Sequence, residues 1–292
     1  MSVYIVAELG SNHDQQLDRA INLIYRAKEA GADAAKFQLY RADSLVKKRN
    51  AEAYRHIYKG TEMPDSWLPL LKEACDTMGI DFMCTAYDEW GVDAVAPFVD
   101  LFKVASFELN DHNLLAYIRK YCEGKYCEGE SGQKVVLSTG MGTIKEVGKA
   151  ASLLGINNIA YALHCTSTYP CPIGDVNLNV LPNFLNAIRW NLPITHPSVL
   201  QLPFLIGFSD HTTGISAPVA AVTLGAKCIE KHMTDDRARV GPDHHFALEP
   251  SEFKQMVMMI REVEMALGEG RKEPQESEAE MMRYRVGSEE RG

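Results

Sequence analysis

The sequence predicts an α/β protein built as a (β/α)8 barrel, and three observations carry that reading. One phrase recurs along the chain: a helical segment ends in glycine and a short apolar run follows. It is seen in KEAGADAAKFQ, CDTMGIDFMCT, ASLLGINNIAYALHC and AVTLGAKCIEKH. Gly31, Gly79, Gly155 and Gly225 then fit the left-handed residue that closes a helix, where a missing Cβ removes the steric penalty. The apolar runs are rich in Val, Ile, Ala, Phe and Leu without strict polar alternation, as strands buried on both faces read. Finally, 292 residues exceed the usual single domain but suit one α/β barrel.

Laid out in order, the runs predict strands near 3–8, 33–38, 81–85, 100–105, 134–138, 159–164, 204–208 and 227–231. Helices are predicted near 16–30, 66–78, 89–96, 111–121, 144–154, 174–187, 214–224 and 251–267. The first helix carries its apolar stripe on Leu17, Ala20, Ile24 and Ala27, and the last on Phe253, Val257, Ile260, Val263 and Leu267. Eight strands alternating with helices favour a parallel barrel. The structural alternative, an open doubly wound sheet, lacks support: no strand opens onto a GxGxxG turn, and STGMGT matches it only in part. Two stretches break the rhythm. YCEGKYCEGESGQK is polar and Gly-rich and reads as a surface insertion before the fifth strand. The charged segment from residue 268 onward reads as a tail or a short surface helix.

Composition narrows the function. A net charge of −9 argues against general nucleic-acid binding, so an anionic small substrate needs locally placed lysines. The seven cysteines show no paired spacing, and with no basic leader at the start the chain is expected to be a cytoplasmic protein with reduced thiols. No membrane span is expected, because GISAPVAAVTLGA is shorter than the roughly 20 residues a bilayer needs.

Barrel chemistry gathers at the C-terminal ends of strands. Strand one ends at Glu8, with Asn12 and His13 beyond; strand two ends in Lys36 and Gln38. Thr85 closes strand three, ahead of Tyr87, and strand four carries Lys103, then Ser106 and Glu108. Ser138 and Thr139 follow strand five; His164, Thr166, Ser167 and Tyr169 follow strand six. Ser209, Asp210 and His211 end strand seven, and Glu230, Lys231 and His232 end strand eight. Taken singly, such a histidine is usually a bonded structural residue, a lysine a rim charge and a serine a helix cap. Alternation, however, puts Lys36 with Gln38 on one strand face and Glu230 with His232 on another, so together the set makes a polar mouth on an apolar barrel. Smaller signals have plainer readings. Cys165 fits a packed strand thiol, Cys122 and Cys127 fit incidental thiols in a Gly-rich loop or a metal pair, and His244 and His245 fit solvated residues or neighbours of the mouth.

The stretches AELGSNHD, GADAAKFQ, FKVASFE, LSTGM, HCTSTYPCP, IGFSDHT and GAKCIEKHMTDD with GPDHHFALEP run in one order over about residues 3–270. In these the chain resembles the sialic acid synthases, the phosphoenolpyruvate-dependent N-acetylneuraminate synthase family. The resemblance implies condensation of phosphoenolpyruvate with the open-chain aldehyde of an N-acyl hexosamine such as N-acetylmannosamine. The product is a nine-carbon 2-keto acid sugar, and phosphate leaves by C–O cleavage. It also implies a divalent metal, Mn2+ or Mg2+, held by His211 and His232. Two imidazoles leave coordination positions open, whereas zinc usually takes three protein ligands. By the same resemblance Glu8 is the acid near the reacting carbons, and Lys36 and Lys103 hold phosphoenolpyruvate. Thr85, Ser106, Ser138 and Ser209 are hydroxyls around its phosphate and carboxylate, while Gln38, Glu108, Tyr169 and Asp243 lie near the acceptor sugar or a metal-bound water.

Two departures concern the sugar side. Family members usually continue into an antifreeze-like domain that crosses to the partner in a homodimer and supplies an arginine to the sugar's N-acyl group. This chain is expected to comprise a catalytic barrel over 1–270 and a charged tail over 271–292, without that domain. Ser167 also stands where these synthases often carry Asn. Two other functions compete: a Schiff-base aldolase using Lys103 or Lys36, and an inactive barrel kept for binding or regulation.

Overall fold

The computed structural model describes residues 2–124, 132–192 and 202–286. Eight parallel strands close into a barrel in chain order, β1 through β8, and β1 pairs with β8. They are β1 (Tyr4–Gly10), β2 (Ala34–Leu39), β3 (Asp81–Ala86), β4 (Leu101–Val104), β5 (Lys134–Ser138), β6 (Ile159–Cys165), β7 (Leu205–Asp210) and β8 (Cys228–His232). The helices are α1 (Leu17–Glu29), α2 (Ala42–Arg49), α3 (Arg55–Thr61), α4 (Leu68–Met78), α5 (Glu89–Val95), α6 (His112–Cys122), α7 (Ile144–Leu154), α8 (Leu181–Trp190), α9 (Ser216–Thr223) and α10 (Pro250–Leu267).

The expected alternation is present, and the four predicted helix-closing glycines all have positive φ. Side-chain caps mark several starts: Asp88 accepts from Gly91 N, Asp111 from Leu114 N, and Thr143 forms a capping box with Glu146. Three details differ from expectation. The helix predicted near 174–187 begins only at Leu181, because Asn177 turns left-handed and Pro182 suits a first helical turn. Short 3-10 turns at Ile173–Asp175 and Leu178–Val180 take up the chain before it. Helices α2 and α3 follow β2 in a stretch left without elements by the sequence reading. The tail from residue 268 is exposed as far as it is described and holds two 3-10 turns. Most of the polar insertion, 125–131 with Cys127, lies outside the described residues, as do 287–292 of the tail.

Two apolar layers hold the barrel. Alternate side chains point inward, and Val6, Ala34, Met83, Val136, Leu163 and Cys228 fill a ring across the interior. The other faces, including Ile5, Phe37, Phe102, Leu137, Phe208 and Ile229, pack under the helices against residues such as Leu23, Leu71, Leu115 and Phe253. One step above the inner ring toward the C-terminal ends, the inward positions change from hydrocarbon to charge: Glu8, Lys36, Lys103 and Glu230 are all buried there.

Candidate active site

These ends open into a cavity of about 360 Å3. Of the residues expected at the mouth, Glu8, Lys36, Gln38, Thr85, Lys103, Ser106, Ser138, Tyr169, Ser209, His211, His232 and Asp243 line it. Most sit on inward strand positions or just past them, so a single phase of the strand alternation presents them together, while Tyr169 reaches in from the loop after β6 and Asp243 from the loop after β8.

The cavity floor is a network of four charges. Lys36 contacts the Glu8 carboxylate directly, and its Nζ lies 3.4 Å from Glu230 Oε2 and 3.4 Å from Thr85 Oγ1. Lys103 Nζ lies 3.4 Å from Glu230 Oε1, and Ser209 Oγ donates to that same oxygen at 3.0 Å. Glu230 therefore bridges both lysines, a position the strand-end pattern exposed without assigning it a role. Burial would raise the Glu230 carboxyl, but Lys103 and Lys36 outweigh it and hold it down at about 2. Glu8 goes the other way: burial raises it, Lys36 opposes and the like charge of Glu230 adds. Lys103 is lowered by burial against the pull of Glu230, whereas for Lys36 the two carboxylates overcome burial and raise it.

A second chain of bonds sets Glu8. Gln38 Nε2 donates to Glu8 Oε1 at 3.1 Å, and the Tyr87 hydroxyl donates to Gln38 Oε1 at 2.8 Å. Gly10, at φ +39°, permits this convergence: a Cβ there would stand 2.7 Å from Glu8 Oε1, 3.0 Å from Gln38 Nε2 and 3.1 Å from Asp243 Oδ2. Across the cavity, Ser106 Oγ accepts from Gly140 N at 3.1 Å, while Ser138 Oγ is buried with no partner of its own.

His211 and His232 stand side by side on the ends of β7 and β8, with ring centroids 5.6 Å apart. Tyr169 packs on His211 at 4.3 Å and Phe246 on His232 at 4.8 Å. His211 Nδ1 donates to the Thr166 carbonyl at 2.8 Å, which leaves the lone pair on Nε2. His232 Nδ1 is buried without a hydrogen bond, 3.9 Å from Asp243 Oδ2. Burial lowers both imidazoles below the usual histidine value, and at His232 the neighbouring His211 ring lowers it further. Neutral, adjacent rings with uncommitted nitrogens fit a divalent ion sharing both. Among the described residues no cluster of three or more His, Cys, Asp or Glu forms a fuller cage.

Other expected residues fall elsewhere. Glu108 and Ser167 do not line the cavity: Glu108 is buried behind its wall and accepts from Arg49 Nη2 at 2.8 Å. His164 points outward, bonded to the Val176 carbonyl and packed on Phe184 and Phe208. Asp210 and Lys231 also face the helix side, joined at 2.5 Å in a buried pair. His13 packs between Phe37 and Trp67, and His244 bonds Thr234 and Asp14, both away from the mouth. The sequence reading missed Arg49, Tyr54, Ile57, Tyr58, Phe107 and Pro242, all of which line the cavity.

The chain was compared with known proteins. A model of the NeuB family matches residues 23–272. The N,N'-diacetyllegionaminic acid synthase of Legionella pneumophila is 35% identical over 95% of this chain and 77% of its own length. The human N-acetylneuraminate-9-phosphate synthase is 34% identical over 91% of this chain and 71% of its own. Among solved structures, the N-acetylneuraminic acid synthetase of Leptospira borgpetersenii, in complex with citrate, superposes with a TM-score of 0.83 at 31% identity, covering 99% of this chain and 93% of that one. The ordered motifs, the closed barrel and a family match across most of its length agree: the chain belongs to the NeuB family, the group of sialic-acid-type synthases.

Proposed function

We propose that this synthase condenses phosphoenolpyruvate with the open-chain aldehyde of an N-acyl hexosamine, giving a nonulosonic acid and phosphate. The observation that carries the reading is the adjacency of two elements: a floor with two buried lysines and a pair of neutral imidazoles, both open to one cavity. Phosphoenolpyruvate is a compact polyanion and needs cations with oriented hydroxyl donors. Lys36 and Lys103 are its cations, and Thr85, Ser106, Ser138 and Ser209 its hydroxyl donors. The unpartnered Ser138 hydroxyl supports that role. Glu8 holds or accepts a proton at Oε1 or Oε2, a role supported by its raised affinity for protons and its anchoring by Gln38. Tyr169 and Asp243 border the acceptor end, with Gln38 between the two substrates.

His211 and His232 would hold Mn2+ or Mg2+, which when bound supplies Lewis acidity toward the aldehyde oxygen. The catalytic unit is residues 1–270, with the exposed charged segment after it outside the unit. Cytoplasmic residence is supported by the buried free thiols of Cys75, Cys84, Cys165, Cys171 and Cys228.

The test is phosphate release from phosphoenolpyruvate with a panel of N-acyl hexosamines, with and without manganese. Release that depends on both acceptor and metal is expected; no release with any acceptor overturns the reading. A Schiff-base aldolase is the competing reading, favoured by one observation, the lowered proton affinity of buried Lys103. Borohydride reduction in the presence of the 2-keto acid product separates the two: a covalent adduct on Lys103 favours the aldolase.

A further inference from the structure

His211 and His232 end neighbouring strands, yet the β7–β8 register stops one residue short of them, at Asp210↔Lys231. Past that point each histidine is tied to a different element. His232 pairs with Glu8 of β1, and its carbonyl accepts from Leu248 N at 2.9 Å. The His211 carbonyl accepts from Cys171 N at 2.8 Å, in the loop after β6. The link between the two histidines lies on the opposite face of the strands. There Lys231 Nζ donates to Asp210 Oδ2 at 2.5 Å and to the Thr212 carbonyl. Asp210 in turn accepts from Thr212 N at Oδ1 and from Thr212 Oγ1 at Oδ2, both at 3.0 Å. The ammonium on the residue before His232 thus grips the residues on both sides of His211.

Both charged residues are only 1% exposed. Desolvating an ammonium and a carboxylate costs about as much as their attraction returns, and an apolar pair of similar volume is often as stable or more so. What an apolar pair lacks is direction, which a fully bonded polar network supplies. A shared ion needs that direction, because each coordination bond accepts an error of only about 0.2 Å. Resting on the reading of His211 and His232 as a metal pair, we propose that Asp210 and Lys231 are positioning residues. Their buried ion pair sets the separation of the two imidazoles from behind the strands, and so sets the affinity for the divalent ion.

The test uses the intact chain, stripped of metal by a chelator. It measures Mn2+ binding by titration calorimetry, the visible spectrum of Co2+ as a probe of coordination geometry, and thermal melting. Asp210→Leu combined with Lys231→Met removes the pair at similar volume and with no change in net charge, so long-range attraction for a cation is kept and only placement is lost. The melting temperature is expected to stay within about 5 °C of wild type. The dissociation constant for Mn2+ should rise about 10- to 100-fold, the scale on which outer supports of a metal site act, and the Co2+ bands should shift. Asp210→Asn combined with Lys231→Gln decides the matter if the first variant does not fold. It keeps a polar pair, but a glutamine nitrogen ends one atom short of the lysine ammonium and cannot grip both partners, so the same direction of change is expected. Wild-type affinity in a folded double variant overturns the inference, because the ion pair would then serve the fold alone. Weaker binding with an unchanged Co2+ spectrum overturns it too, since the rings would still be in place. A wild-type chain that binds neither Mn2+ nor Co2+ overturns the metal reading and this inference with it.

Discussion

At the scale of single residues, the paired imidazoles make the sharpest prediction. Their nitrogens are neutral and the rings stand at 5.6 Å, so removing either leaves a one-histidine site. His211→Ala and His232→Ala should each abolish manganese-stimulated phosphate release while the melting temperature stays within a few degrees. Full metal-stimulated activity in His211→Ala would remove that ring from the site. Glu230 gives a pH prediction. Its folded value of about 2 lies below the ordinary 4.5, so the stability it contributes is complete above about pH 4.5 and is lost as pH falls from there toward 2. Thermal scans between pH 6 and pH 3 should show a flatter acid decline in Glu230→Gln than in wild type, from a lower starting stability because two buried lysines lose their bridge. Equal slopes would mean that the lysines do not hold this carboxylate. Legibility at this scale followed strand polarity. Lys36 with Gln38 and Glu230 with His232 could be read as facing one way. His164, Asp210 and Lys231 could not be placed, because strands buried on both faces carry no polar alternation to fix which phase points inward.

Among the elements, the regular helices were readable because their apolar stripes repeat at the helical period and glycine closes them. Helix α2 had no such signature. It buries only Ala42, Leu45 and Val46 and ends in Lys47, Lys48 and Arg49, so propensity and pattern say little and docking decides. The signal available was length: the stretch from 40 to 66 is longer than a structureless loop in a compact domain should be, and such stretches are commonly functional. The docking can be tested at Asp111, which does two jobs. It caps α6 by accepting from Leu114 N at 3.0 Å, and it pairs with Lys48 from α2 at 2.6 Å. Asp111→Ala should cost about 1 kcal/mol through the lost cap. Asp111→Asn keeps a capping oxygen and should recover most of that, since a half-exposed ion pair is worth about 0–1 kcal/mol. Urea unfolding of both variants checks this, and an Asn variant as unstable as the Ala variant would give the ion pair the larger share.

For the whole molecule, eight strands and no dinucleotide turn made a closed barrel legible, whereas the internal fit that closure demands could not be read from periodicity. Gly207 shows the difference. In sequence it is one small residue in FLIGFSD; in the barrel it faces inward beside the ring of Leu163 and Cys228. A Cβ there would lie 2.4 Å from Leu163 Cδ2 and 2.5 Å from the Cys228 carbonyl oxygen. A leucine tip can turn away, but the carbonyl belongs to β8 and moves only with the strand. Gly207→Ala should therefore push β7 from β8 and cost about 1–3 kcal/mol, the usual range for overpacking. Adding Leu163→Ala should restore little of it, because the backbone clash persists and a void is added. The same displacement reaches function, since β7 and β8 present His211 and His232 at their ends. Weaker manganese binding in Gly207→Ala, measured by titration calorimetry beside the melting curve, is the expected joint result. A variant that melts early yet binds manganese as wild type does would show that the histidine pair is held by its local contacts, Thr166, Tyr169 and Phe246, and not by closure of the barrel beneath it.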